Sequence, residues 1–305
     1  MQHLTYERVL QTAAGIHDHL VVMTAENRVA IRNLPQVLGK RFIDVGIAEQ
    51  TMVGAAAGLA LRGRVPVVHA LASFLTMRAF EFIRTDVGVA NLPVKLVGGV
   101  PGFLSDANGP THQAIEDIAL MCGIPNVQVF SPADSQDLVI GLPTLLESPS
   151  PCYIRHNALP PCVTHSLSFT PGKAEVIAGG TDVAILVHGI LLREVMKAKA
   201  DLEGSGLSTR VVNMRMLKPV DEEEILHSAA STKLLVTVED HFITGGLYSI
   251  ACETLQRHRM NAHILPFALE QHWFQPALLE DVIVNEGFSG PQIAGHIRET
   301  LRQRS

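Results

Sequence analysis

The chain contains 305 residues, of which 47% are hydrophobic and 18% charged, and this balance predicts packed globular domains and argues against disorder. The length suffices for two ordinary domains, each with its own core. Because the net charge is -6 and the Lys and Arg residues are scattered, the sequence lacks the basic patch with which proteins bind nucleic acid.

No stretch of the sequence predicts a membrane anchor. The longest apolar run, residues 52–61, has about half the length that a bilayer span needs, and the N-terminus lacks the apolar core of a signal peptide. We therefore expect a soluble, cytoplasmic protein. The cysteines show no metal-binding spacing, so we expect reduced thiols and no metal ligands at Cys122, Cys152, Cys162 and Cys252.

Strands and helices alternate along the first half of the chain. Apolar runs predict strands at residues 20–23, 42–45, 65–71, 92–99, 126–130 and 152–155. Between them, the patterns predict helices over residues 4–19, 48–62, 73–84, 112–122 and 134–146. Strands that are apolar throughout and separated by helices predict a parallel sheet covered on both faces.

The alternation lapses between residues 157 and 180, where Pro and Gly are frequent, and then resumes. The second half is predicted to contain strands at residues 182–189, 209–214 and 233–240, and helices over 191–202, from 221, over 245–258 and from 289. The sequence therefore predicts an α/β protein with two doubly wound domains, residues 1–158 and 159–305, each built on a parallel or mostly parallel sheet.

Glu49 is the one carboxylate in a stretch of apolar and small residues, 45–61, that continues a short strand into a helix. A glutamate in a first helical turn commonly complements the helix dipole and nothing more. The apolar run at 52–61 offers no basic partner, however, and its small side chains let a backbone or a flat ligand approach closely. Both a structural and a catalytic role remain open from these residues alone.

Five ordered segments resemble the C-terminal half of a transketolase. They are FIDVGIAEQTMVGAAAGLALRG (42–63), ASFLTMRAFEFIRTDV (72–87), NGPTHQAIEDIAL (108–120), IPNVQVFSPAD (124–134) and LVTVEDHFITGGL (235–247). The resemblance covers essentially the whole chain. It implies a pyrimidine-binding domain over residues 1–158 and a transketolase C-terminal domain over 159–305.

The same resemblance implies thiamine diphosphate as cofactor and a second kind of subunit. The GDG motif, followed by Asn, with which transketolases hold the diphosphate and its Mg²⁺ or Ca²⁺, does not occur here. A partner N-terminal subunit is therefore expected to carry that motif and the metal. Such a split enzyme is expected to form an α2β2 heterotetramer in carbohydrate metabolism, and this chain alone is expected to be inactive.

The resemblance also implies roles for individual residues. Glu49 would hydrogen-bond a ring nitrogen of the cofactor's aminopyrimidine, and Phe74 would pack on that ring. His112 would act on the substrate's hydroxyl and carbonyl oxygens, and Arg155 would grip a terminal phosphate. Asn108 stands where the family usually has an Asp that contacts a ketose hydroxyl, and its amide would keep that contact. The family often has a second aromatic residue three positions before Phe74, where this chain has Leu71.

Two regions depart from the family pattern. A phosphate-binding histidine of the family is replaced by Val100, while the segment 24–33 has Glu26 where the family has a cofactor-side acid and Arg28 as an additional candidate substrate ligand. One anion ligand is thus kept and another lost. This pattern suggests an oxyanionic sugar other than the usual pentose and hexose phosphates, such as a sulfonated ketose or a branched ketose phosphate.

Three alternatives remain open from the sequence. The β-subunits of 2-oxo acid dehydrogenases share the two-domain layout and the glutamate, although their corresponding loop ends in His-Ser where this chain has GPTHQ. A fragment of a deoxyxylulose-phosphate synthase would show similar segments. A catalytically silent scaffold could keep the fold without the chemistry.

Overall fold

Two α/β units make up the structure, a computed structural model that describes residues 4–303. The strands of the first unit are β1 (Leu20–Thr24), β2 (Phe42–Asp44), β3 (Val65–Leu71), β4 (Lys95–Gly99), β5 (Gln128–Phe130) and β6 (Cys152–Arg155). Its helices are α1 (Tyr6–Ile16), α2 (Leu34–Leu38), α3 (Glu49–Leu61), α4 (Phe80–Phe82), α5 (Asp117–Cys122) and α6 (Ser135–Glu147). Two π-helical segments, Phe74–Arg78 and Ile83–Gly88, flank the short α4.

The later part of the chain forms the second unit. Its strands are β7 (Glu175–Ala178), β8 (Val183–Val187), β9 (Thr209–Asn213), β10 (Met216–Lys218), β11 (Leu234–Phe242) and β12 (Ile264–Leu269). Its helices are α7 (Leu192–Gly204), α8 (Glu222–Ser231), α9 (Leu247–Arg257), α10 (Leu279–Asn285) and α11 (Gly290–Arg302). None of the helices within residues 4–303 is long and apolar enough to cross a membrane.

The two sheets confirm the predicted fold class. The first sheet has the order β10-β5-β6-β4-β3-β1-β2 and is parallel except for β10, and the second has the order β12-β11-β8-β9-β7 and is parallel except for β7. The prediction of mostly parallel sheets is therefore correct. It did not foresee that β10, which follows β9 in the chain, crosses over and pairs with β5 of the first sheet.

Helices cover both faces of the first sheet, as the uniformly apolar strands predict. Leu20 and Val22 pack with buried residues of α1 and α6 on one face, while Val21 and Met23 pack with α3 on the other. This second cluster continues into the other unit through Leu247 of α9. Burial of apolar side chains therefore joins the two sheets as well as filling each one.

Several expected boundaries differ from the observed ones. The helix predicted over 112–122 begins only at Asp117, so His112 lies in a turn and not at a helix start. The helix predicted over 73–84 is largely π-helical, a wider turn that is frequent at functional sites. The elements that the patterns missed are short or lie at sheet edges, namely α2, β7, β10, β12 and α10.

A buried histidine ties the segment between the sheets to both units. His165 bonds through Nε2 to Asp134 at 2.9 Å and through Nδ1 to Glu175 at 2.7 Å, and its side chain is fully buried. Asp137 lies close to the same ring, in a grouping that could hold a metal ion, but both ring nitrogens of His165 already contact carboxylates. Burial alone would lower the pKa of His165, but these two hydrogen bonds outweigh it and raise the pKa to about 10.

We expect this contact to make stability depend on alkaline pH. An unfolded histidine has a pKa of about 6.5, so the stabilisation is complete below that pH and is lost as the pH rises towards 10. His165→Gln should therefore lower the melting temperature by roughly 5 °C at pH 6 and by progressively less up to pH 10. Thermal unfolding of both proteins across this range measures the difference.

The exposed His263 provides the matched control, since His263→Gln should leave the pH dependence unchanged. A deficit of His165→Gln that stays constant from pH 6 to 10 would show that the imidazole is not held in its charged form.

Candidate active site

The carboxyl ends of the parallel strands bring the candidate residues to one edge of the first sheet. Glu49 follows β2, Phe74 follows β3, and the loop of residues 100–116, which carries His112, follows β4. Ligands of open α/β sheets bind at this edge, outside the carboxyl ends of the strands. The fold therefore places the sequence candidates in the region where a site is expected.

Glu49 opens helix α3 and is only 2% exposed. Arg78 donates from Nη1 to Oε2 of Glu49 at 3.0 Å, while the Arg78 side chain itself remains 41% exposed. The sequence patterns did not reveal this partner, because it comes from the connection after β3 and not from the helix of Glu49. The buried carboxylate thus has a counter-charge on the solvent side of the site.

Phe74 and Arg78 lie at the two ends of one π-helical segment. The guanidinium carbon of Arg78 is 4.1 Å from the centroid of the Phe74 ring, a cation–π contact. The ring of His112 meets Phe74 edge-on, with centroids 5.0 Å apart. Glu49, Arg78, Phe74 and His112 therefore form one continuous cluster, and three of its four members were identified from the sequence.

The loop that carries His112 is fixed by hydrogen bonds within it and to the second unit. Ser105 donates its hydroxyl to the carbonyl of His112 at 3.0 Å, and the Gln113 amide donates to the carbonyl of Phe274 at 2.8 Å. Asn108 is exposed at the tip of this loop, and its carbonyl accepts a hydrogen bond from Gln113. The loop therefore holds the His112 ring against Phe74 and leaves Asn108 open to solvent.

Glu26 and Arg28 follow β1 at the same edge, and both are exposed. Arg28 donates from Nε to Asp44 Oδ2 at 2.6 Å and lies over the ring of Phe42. The amide of Glu26 also donates to Asp44. No contact among the described residues joins Glu26 or Arg28 to the cluster around Glu49, so the structure does not bring these two candidates together with the others.

Arg155 lies in a buried ion-pair network. It is 2% exposed, and its guanidinium donates to Asp117 Oδ2 at 2.9 Å and to Asp240 Oδ1 at 2.6 Å. Burial would lower the pKa of Arg155, but the two carboxylates hold it above its ordinary value. The charge of Arg155 is thus balanced inside the protein, and its role as a phosphate ligand stays a prediction.

The Arg155 network holds the loop of His112 at both ends. Asp117 begins α5 directly after the loop, and Asp240 accepts a hydrogen bond from the amide of Phe103 near its start. Gly102 has a φ of +57°, and a Cβ at that position would lie 1.9 Å from Asp240 Oδ2. Only glycine permits this approach, so Gly102 allows Asp240 to bind the start of the loop.

Comparison with known proteins agrees with the fold. Residues 6–158 match the family model for the transketolase pyrimidine-binding domain, and residues 172–290 match that for the transketolase C-terminal domain. The fold and these matches define a two-domain subunit of the thiamine diphosphate-dependent class. The chain belongs to the transketolase family.

Several relatives similar to this chain are separate subunits. It is 38% identical to the 6-deoxy-6-sulfo-D-fructose transketolase subunit of Clostridium sp. (strain MSTE9), covering 82% of this chain and 79% of the relative. It is 34% identical to an apulose-4-phosphate transketolase subunit of Actinobacillus succinogenes, covering 72% and 71%. A split-gene transketolase solved as an inactive beta4 tetramer superposes with a TM-score of 0.88, at 31% identity and 97% coverage of both chains.

Membership of the family implies thiamine diphosphate, and the free groups around Glu49 fit its aminopyrimidine ring. Arg78 engages only Oε2 of Glu49, so Oε1 has no hydrogen bond within residues 4–303. The hydroxyl of Ser73, directly before Phe74, is buried and likewise without a partner in that part of the chain. A polar ring bound at the cluster would give Oε1 of Glu49 a hydrogen-bond partner.

The buried ion pairs of Arg155 predict a stability effect. Arg155→Met would leave Asp117 and Asp240 buried without their counter-charge, and the free energy of unfolding should fall by about 3–5 kcal/mol. Denaturant titration of the wild type and the variant measures this loss.

Arg28→Met is the matched control, because the Arg28–Asp44 pair is half-exposed and should cost less than about 1 kcal/mol. Unchanged stability of Arg155→Met, together with a raised KM, would support the role of Arg155 as a substrate ligand.

Proposed function

We propose that this chain supplies the catalytic carboxylate of a split transketolase, which transfers a two-carbon ketol unit from a ketose to an aldose. The observation that carries the proposal is Glu49, buried at the carboxyl edge of the sheet with one carboxylate oxygen free and with Phe74 and His112 in the same cluster. Conservation of the fold alone would not require this arrangement.

Each residue of the cluster has a task that suits its chemistry. Glu49 holds a proton in common with the cofactor's ring nitrogen, and the apolar side chains around it, such as Met52 and Val53, keep water away. Phe74 packs against the ring, while His112 donates to and accepts from the sugar's oxygens. Bound thiamine diphosphate supplies the nucleophilic carbon for the transfer.

The outer candidates have supporting roles in this proposal. Asn108, exposed at the loop tip, offers its amide to a ketose hydroxyl. Glu26 is the acid assigned to the cofactor, and Arg28 is available to substrate only by leaving Asp44. In this proposal, residues 1–158 form the domain that binds the aminopyrimidine, and residues 159–305 form the transketolase C-terminal domain.

A partner subunit completes the site in this proposal. It carries the GDG motif, holds the diphosphate and the Mg²⁺ or Ca²⁺, and assembles with this chain in the cytoplasm as an α2β2 heterotetramer. Support comes from the similar split-gene transketolase, whose beta4 tetramer is described as inactive. The small-residue helix α3, with Ala55 and Gly58 exposed, offers a surface that another chain can approach closely.

A sulfonated ketose or a branched ketose phosphate is the substrate class that the relatives favour. Their names specify 6-deoxy-6-sulfo-D-fructose and apulose 4-phosphate. In this chain, however, Arg155 is enclosed by carboxylates and Val100 has no charge. Which terminal group the site accepts is therefore determined by the residues that line the sheet edge beside the cluster.

The central prediction concerns Glu49. Glu49→Gln in the reconstituted two-subunit complex should preserve assembly and lower kcat by at least about 100-fold, because the amide cannot share a proton with the ring. A coupled assay of two-carbon transfer measures turnover, and size-exclusion chromatography measures assembly.

Glu270→Gln, which changes an exposed carboxylate after β12, serves as the control and should retain wild-type turnover. If Glu49→Gln also keeps wild-type rates, Glu49 is only a partner of the helix dipole. Release of CO₂ from pyruvate by the complex would instead favour the 2-oxo acid dehydrogenase alternative.

A second prediction concerns the partner. The isolated chain, supplied with thiamine diphosphate and Mg²⁺, should show no detectable ketol transfer, and addition of the GDG-containing subunit should restore it. An active isolated chain would contradict the proposed division of the site, while a complex that binds no cofactor would identify a scaffold.

A further inference from the structure

A cavity of about 740 Å³ lies in the second unit, between helices α7 and α10 and the segment 159–162 that joins the two units. The start of α11 also lines it, at Ser289 and Pro291. No residue of the cluster around Glu49 is among the described residues of its wall, so the cavity is separate from the candidate active site. Its volume lies in the range of small-molecule sites.

Much of the wall is apolar. Ile190 lies directly before α7, Leu279, Ile283 and Val284 belong to α10, and Leu159 belongs to the joining segment. Val284 is 53% exposed, so part of this apolar surface is in contact with water. A ligand with an apolar body would remove that surface from water, which is favourable.

Two of the four charged side chains on the wall neutralise each other. Lys197 donates from Nζ to Oε1 of Glu194 at 2.6 Å. The other carboxylate oxygen of Glu194 accepts a hydrogen bond from the amide of Gly290 at 2.9 Å. This pair is electrically balanced and leaves the selection of a charged ligand to the other two side chains.

Arg193 is the cation that remains. Its Nη2 donates to the carbonyl of Pro160 at 2.8 Å, and no carboxylate within residues 4–303 forms a salt bridge with its guanidinium. Nε and Nη1 make no hydrogen bond in the same part of the chain. The bond to Pro160 holds the half-buried guanidinium in place, so its free N–H groups are ready for a carboxylate at little cost in conformational entropy.

Glu280 is the fourth charged side chain, and it limits which anions fit. It is exposed in the first turn of α10 and makes no ion pair or hydrogen bond with another described residue. A dianion in the cavity would be repelled by Glu280 as well as attracted by Arg193. A single carboxylate on an uncharged apolar body suffers less repulsion and gains the same partner.

The joining segment connects this cavity to the first unit. The carbonyl of Leu159 accepts a hydrogen bond from the amide of Ser135, which begins α6, at 2.9 Å. The amide of Leu159 donates to Oδ1 of Asn157 at 2.9 Å. A ligand that packs on Leu159 would therefore also stabilise the junction between the two units.

We propose that the cavity is a binding site for a small monocarboxylate with an apolar body, and that Arg193 binds its carboxylate group. The apolar body packs on Ile190 and Ile283. The site is additional to the proposed ketol transfer and does not depend on it.

Isothermal titration calorimetry of the full chain, with isocaproate as the probe, tests this proposal. We expect saturable binding at one site, at least about tenfold tighter than that of isocaproamide, which has the same shape without the charge. Acetate, which has the charge without the apolar body, should also bind at least about tenfold more weakly. Equal affinities for the acid and the amide, or no saturable binding of isocaproate, would overturn the proposal.

Two variants locate the site. Arg193→Met should weaken the binding of isocaproate at least about tenfold, because the carboxylate loses its partner. Val284→Glu changes an exposed wall residue and adds a carboxylate, so it should fold and weaken binding at least about threefold. Wild-type affinity in Val284→Glu and in folded Arg193→Met would rule out this cavity.

Arg64→Met is the matched control. Arg64 likewise donates to a backbone carbonyl, that of Asp18 at 3.0 Å, and has no salt bridge within residues 4–303, but it lies outside the cavity. Its replacement should leave the affinity for isocaproate unchanged. Weaker binding in Glu280→Gln, with wild-type affinity in Arg193→Met, would show that the cavity selects a cation and would overturn the proposal.

Discussion

The buried guanidinium of Arg155 is the contact on which the arrangement of the site depends. It lies between Asp117 of the first unit and Asp240 of the second, and all three groups are almost fully buried. Removal of any one would leave an uncompensated charge in the interior, so the three must remain together. Because Asp240 also binds the loop at Phe103 while Asp117 closes it, the position of His112 is set by residues of both units. The second unit thus contributes to the candidate active site through Asp240.

The long elements were predictable because their apolar residues repeat with a clear period. The strands at residues 65–71 and 152–155 have the predicted bounds, and α3 and α6 differ from prediction by one residue at each end. Short elements such as β10, with three residues, carry too little pattern to be recognised. The start of the helix after His112 was wrong because the GPTHQ turn continues to Asp117 before regular hydrogen bonding begins.

Contacts between distant residues explain what the sequence could not show about the site. Glu49, Phe74 and His112 were identified through segments that resemble a family, and the fold brings them together. The partner of Glu49 is 29 positions away and that of Arg155, Asp240, is 85 positions away. A motif identifies an arginine at the end of a strand but not the carboxylate that the arginine meets. For this reason Arg78 was missed, and the two carboxylate partners of Arg155 were not foreseen.

Charge pairing also determines what this edge of the sheet can bind. Arg28, Arg78 and Arg155 would make the edge strongly positive if their charges were free, yet each is bonded to at least one carboxylate. Where the family resemblance implies a histidine for phosphate, Val100 adds an apolar surface. The cluster around Glu49 has a charge balance of its own, because Arg78 pairs with the buried carboxylate of Glu49.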